Sequence, residues 1–78
     1  MIKSIHHCKY IALIKWLSTV RKEQGLTVRQ LAALLDEDHS TIVKIETFVR
    51  KLSAIEYYQF CKVLKVDPMV GFSIFEKS

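Results

Sequence analysis

Residues 25–46 read Gly25-Leu26-Thr27-Val28-Arg29-Gln30-Leu31-Ala32-Ala33-Leu34-Leu35-Asp36-Glu37-Asp38-His39-Ser40-Thr41-Ile42-Val43-Lys44-Ile45-Glu46, and this stretch decides the fold. Thr27 and Gln30 have capping-box spacing: the hydroxyl takes the amide three residues on, and the glutamine reaches back to the threonine amide. A helix therefore begins here, with Leu31, Ala32 and Leu35 on its buried face. The acids Asp36, Glu37 and Asp38 interrupt the apolar pattern, and Asp38 is placed to cap a further helix from 39 to about 48. Ile42 and Ile45 are its inward residues. Two short helices joined by so brief a turn leave the second projecting from the surface.

The flanks carry the same punctuation. Upstream, Tyr10, Leu13, Leu17 and Val20 recur at three- and four-residue steps, predicting an amphipathic helix to about residue 24 that Gly25 stops. Trp16 packs either on the core face of that helix or at an interface. Downstream, Ser53-Ala54-Ile55-Glu56 is a second capping box, and Ile55, Phe60, Val63 and Leu64 mark the expected buried face of a fourth helix ending near Lys65. Asp67-Pro68 starts a short last helix, since proline is tolerated at the first helical position. The expected fold is all-α, a compact bundle of four to five helices.

A chain of 78 residues, half of them hydrophobic and with only two Gly and one Pro, is too apolar for disorder and too poor in turn formers for a many-stranded β fold. It holds one core and one expected domain over 1–78. The net charge of +4 favours a polyanionic partner. No apolar run approaches the ~20 residues that span a bilayer, so no membrane role is expected. Cys8 and Cys61 make no disulfide framework and no zinc-ligand spacing, which suits a reducing cytoplasm. In His6-His7-Cys8 three adjacent residues do not converge on one ion, and no cofactor or metal is expected. Cys61 falls on an apolar helix face, as a small core residue. No nucleophile–base pair, paired carboxylates or Gly-rich phosphate loop appears at motif spacing, so no enzyme is expected.

Several motifs in order over residues 17–68 resemble the Cro and lambda-repressor-like (XRE) helix-turn-helix family. Leu17 and Val20-Arg21 resemble its first-helix signature, Gly25-Leu26-Thr27 its approach to helix two, and Leu31-Ala32 with Leu35 its second-helix core. Ser40-Thr41-Ile42 and Ile45-Glu46 resemble its DNA-reading third helix. Phe60-Cys61-Lys62-Val63-Leu64 and Val66-Asp67-Pro68 resemble its close. The resemblance implies a family-like core over 13–68, an N-terminal extension 1–9, an apolar tail 69–78, and recognition of double-stranded DNA by a helix in the major groove. It assigns base reading to His39, Ser40, Thr41 and Lys44, and phosphate contacts to Thr27, Arg29, Arg50 and Lys51. Arg21 and Glu46 stand where the family has a partly buried ion pair.

Departures from the family pattern carry expectations of their own. Val28 replaces a phosphate-contacting glutamine, Asp36 a turn glycine and Glu37 a buried aliphatic residue. Phe48 replaces a helix-ending glycine, so the exit from helix three is expected to be built differently, with the ring buried rather than exposed. Met69, Val70, Phe72, Ile74 and Phe75 either complete the core or, as preferred here, form a dimer, to which Ile2, Ile5, Tyr10 and Ile11 can add. The expected function is a sequence-specific regulator, a dimeric repressor of phage, plasmid or toxin–antitoxin type on a palindromic operator in a bacterial or phage-encoded setting. It would be cytoplasmic and nucleoid-associated, with a toxin-like protein as a further partner. The alternative is a protein-interaction module that has lost DNA, favoured by the acidic run.

Overall fold

A computed structural model describes residues 7–76; Ile2 and Ile5 of the dimer expectation and His6 of the His6-His7-Cys8 run lie outside them. Five helices follow one another: α1 (Cys8–Glu23), α2 (Val28–Leu35), α3 (His39–Glu46), α4 (Ala54–Leu64) and α5 (Pro68–Glu76). Among the described residues no helix is long and apolar enough to cross a membrane. The fold is the all-α bundle that the punctuation predicts, with no strand among the described residues.

Each start is written in local chemistry. His7 Nδ1 accepts from the Lys9 amide at 3.2 Å and opens α1. Thr27 and Gln30 form the full capping box of α2, the glutamine taking the Thr27 amide at 2.8 Å and the hydroxyl taking the Gln30 amide at 3.1 Å. Ser53 and Glu56 do the same for α4. Asp67 Oδ1 accepts from the Met69 amide at 3.0 Å as α5 begins. Asp38 departs from expectation: it holds the cap position of α3 in extended backbone, but its side chain makes no capping bond.

The helix ends share one device. After α1, Gly25 turns left-handed (φ 73°), its amide bonding to Lys22 O while the Leu26 amide bonds to Arg21 O. The same pair of bonds closes α2 at Asp36 (φ 55°), the end of α3 at Phe48 (φ 64°) and α4 at Lys65 (φ 59°). Phe48 therefore does not build a different exit; it accepts the glycine conformation despite its side chain, because the half-buried ring packs against the core. A non-glycine residue there costs roughly 1 kcal/mol. Lys65 is exposed and its side chain meets no hydrogen-bond partner among the described residues, so Lys65→Gly is expected to stabilise by roughly 0.5–1 kcal/mol and to raise the melting temperature by about 3–6 °C in a thermal scan.

The core is made by Leu13, Ile14, Leu17 and Val20 of α1, Leu31 and Ala32 of α2, Ile42 and Ile45 of α3, and Tyr57, Phe60, Cys61 and Leu64 of α4. Ile55, expected inside, is 62% exposed. The true stripe of α4 runs 57, 60, 61, 64, one helical face, and Ile55 lies about 200° from Tyr57 at 100° per residue. Burial pushes the Cys61 thiol up from its ordinary value, which leaves it an inert core group.

The apolar tail folds back. Gly71 is buried where α5 crosses α1, Ile74 and Trp16 pack against the core, and Tyr57 Oη donates to Pro68 O at 2.5 Å. Lys9 Nζ donates to Phe75 O at 2.7 Å near the end of α5. Met69, Val70, Phe72 and Phe75 remain at the surface, so core packing occupies only one side of this helix.

Candidate functional site

Helix α3 has two distinct sides. Ile42 and Ile45 are wholly enclosed, which sets its rotation. With that side down, Ser40, Val43, Lys44 and Thr47, spaced at three and four residues, form the outward stripe, and His39 flanks it at the helix start. Lys44 is exposed and His39 and Ser40 are half-buried. Thr41 lies to one flank, lining a small hollow with Glu37, Glu56 and Gln59. Val43, 41% exposed, was not singled out from the sequence; its signal was its phase, off the beat of Ile42 and Ile45.

A buried brace holds this helix. Arg21 of α1 meets Glu46 of α3 through two parallel bonds, Nε to Oε2 at 2.9 Å and Nη2 to Oε1 at 3.0 Å, with the side chains 8% and 15% exposed. Arg21 Nη1 also donates to Leu26 O at 2.7 Å, and Ser18 Oγ to Glu46 Oε1 at 3.4 Å. One guanidinium thus ties α1, the segment leading into α2 and the last residue of α3. Such a fork fixes angle as well as distance.

Around the stripe stand the other residues of interest. Thr27, Arg29 and Lys51 are exposed, whereas Val28 is half-buried against the core. The first amides of α2 have no partner inside the helix and give its N-terminus an affinity for anions. Arg50, expected as a phosphate contact, is clasped by Glu56: Nη1 to Oε1 at 3.1 Å and Nη2 to Oε2 at 2.8 Å. The reason is the short turn after α3, which delivers Arg50 to the first turn of α4. Glu56 serves both the arginine and the capping box, and the bond from Arg50 first, with those from Ser53, lowers its carboxyl to about 2. A carboxylate depressed in the folded state stabilises above its ordinary value of 4.5, and that contribution is lost as pH falls from there toward 2. Melting temperatures measured between pH 5 and 2 are therefore expected to fall more steeply for the wild type than for Glu56→Gln. Asp36, Glu37 and Asp38 are all exposed beside the start of α3.

The helix-turn-helix family HTH_3 matches residues 17–70, the segment from mid-α1 to the start of α5. The chain belongs to the XRE-type helix-turn-helix family. A solved structure described as an XRE-family like protein from Pseudomonas syringae pv. tomato str. DC3000 is similar over 95% of this chain and 92% of that one. The two share 36% of their residues, with a TM-score of 0.83. None of the curated proteins matches. Membership in a family of DNA-binding transcription regulators makes α2 and α3 the helix-turn-helix. The family is one of DNA binders and not typically of enzymes.

Proposed function

We propose that this XRE-type chain is a sequence-specific repressor that binds a palindromic operator in double-stranded DNA as a homodimer. The observation that carries the reading is the outward stripe of α3, backed by two fully enclosed isoleucines and braced by Arg21 and Glu46. A helix held this way fits the ~12 Å major groove. His39 and Ser40 offer hydrogen bonds to base edges, Lys44 reaches a guanine or a phosphate, and Val43 suits a thymine methyl group. Thr41 serves from the flank. Thr27, Arg29, Arg50 and Lys51 anchor the backbone phosphates on either side.

Dimerisation draws on the apolar surface of α5, where Met69 is 66% and Val70 53% exposed beside Phe72 and Phe75; Ile74 supports it from the core side. Two copies place two reading helices one helical turn apart on the operator. The setting is a bacterial or phage-encoded cytoplasmic regulator, of phage, plasmid or toxin–antitoxin type, in which a toxin-like protein is a further partner.

Selection of bound duplexes from a random library at two salt concentrations, with the mass of the protein in solution, tests this. A palindromic motif bound by a dimer, with affinity falling by a log–log slope of about −0.9 per phosphate neutralised, supports the reading. Lys44→Ala should relax base preference, while Lys51→Ala should weaken all sequences alike. The exposed acids at 36–38 favour a second reading, a protein-interaction module on the same fold; absence of any enriched motif at either salt selects it.

A further inference from the structure

The two arginine–glutamate pairs use different edges of the guanidinium. Arg21 spends its side edge, Nε and Nη2, on Glu46 and its Nη1 on Leu26 O, so its inward-facing donors are used where it lies buried. Arg50 spends its end, Nη1 and Nη2, on Glu56, and Nη1 also donates to Lys51 O at 3.2 Å. A guanidinium has five N–H groups. Three of those on Arg50 are engaged, and the two that remain, Nε–H and the outer Nη2–H, are parallel and lie on one edge. Among the described residues neither meets an acceptor, and the side chain is 43% exposed. This edge is the fork that binds a phosphate through two bonds.

We infer that Glu56 is a positioning residue for DNA binding: together with Lys51 O it holds Arg50 so that its unused Nε–Nη2 edge is presented to a backbone phosphate. The inference rests on the DNA-binding reading above. Glu56 suits the task because its own position is set by the Ser53 capping box, on a helix packed into the core. Holding the arginine in advance removes the entropy of ordering a long side chain at the moment of contact. The carboxylate also repels phosphate, so its charge opposes its positioning effect. Single substitutions mix the two, and a cycle separates them.

The experiment measures operator affinity and its salt slope for the wild type, Arg50→Ala, Glu56→Gln and the double variant, with circular dichroism on each. Glutamine keeps the capping box, which accepts either residue at that position. Arg50→Ala is expected to weaken binding by at least about tenfold in the wild-type background, where the two-bond fork is lost, and about threefold or less once Glu56 is replaced by glutamine. Arg50→Lys, which keeps the charge without the fork, is expected to weaken binding while leaving the salt slope nearly unchanged. A cost of Arg50→Ala that is equal in both backgrounds, or larger in the Glu56→Gln background, overturns the positioning role and leaves the DNA-binding reading standing. A wild type that binds no duplex overturns both.

Discussion

Arg21→Ala is expected to lower the melting temperature by roughly 10–20 °C and to remove sequence-specific DNA binding. The truncation leaves Glu46 as an uncompensated, mostly buried carboxylate and leaves Leu26 O without its 2.7 Å donor. Breaking one side of a buried pair costs roughly 3–5 kcal/mol. In a domain of this size each kcal/mol moves the midpoint by about 4–8 °C, and partial exposure of Glu46 argues for the lower part of that range. Binding falls further than stability alone accounts for, because Arg21 sets the relation between the approach to α2 and the end of α3. Replacing both partners, Arg21→Met with Glu46→Leu, removes the stranded charge and should recover much of the midpoint. Operator affinity should not recover with it, since apolar contact fixes no angle. A thermal scan and a binding isotherm on the three proteins decide the matter, and an unchanged midpoint in Arg21→Ala would remove the brace from the account.

The second large effect is expected from Gly71→Val. A Cβ at this position would overlap Tyr57 Oη and stand 2.7 Å from the Trp16 ring and 2.9 Å from Leu13 Cδ1. None of these can simply swing aside: Tyr57 is buried and donates to Pro68, and the indole and Leu13 belong to the packed face of α1. Overpacking of this kind costs typically 1–3 kcal/mol, and two further methyl groups put valine at the upper end. The β-branched residue offsets little of it through helix propensity, being only slightly better than glycine. The relief available is for α5 to lift from α1, which exposes Trp16, the one tryptophan of the chain. A red-shifted emission with a lowered midpoint is the expected signature. If the dimer uses the outer side of α5, the mass in solution falls to that of a monomer in the same experiment.

These two effects differ in how far the sequence announced them. Arg21 and Glu46 could be paired on paper because the family resemblance places them, and the helix starts were readable because capping is a matter of three or four neighbouring residues. Gly71 could not be read, since its importance lies in contacts with residues 13, 16 and 57 that only the packed chain brings together. Ile55 failed for a related reason: hydrophobicity suggested burial, while the stripe through Tyr57, Phe60, Cys61 and Leu64 turned it outward. The base-reading candidates His39, Ser40, Thr41 and Lys44 follow from the resemblance and their place on α3, while Val43, which shares the outward stripe, has only its phase against Ile42 and Ile45 to mark it. The clasp of Arg50 by Glu56 depends on the path of the turn between α3 and α4, for which the sequence has no local marker.

The left-handed turns at Asp36, Phe48 and Lys65 bear on the fate of the molecule in a cell. Phe48 offsets its strain by packing its ring on the core, whereas glycine would occupy the exposed positions 36 and 65 without loss, and those two leave the fold roughly 1–2 kcal/mol short of what the same bundle could reach. A difference of that size multiplies the fraction of opened chains about fivefold to thirtyfold, and opened chains are what proteases degrade. The helix ends thereby set how often the chain opens, and with it how readily a protease reaches the backbone.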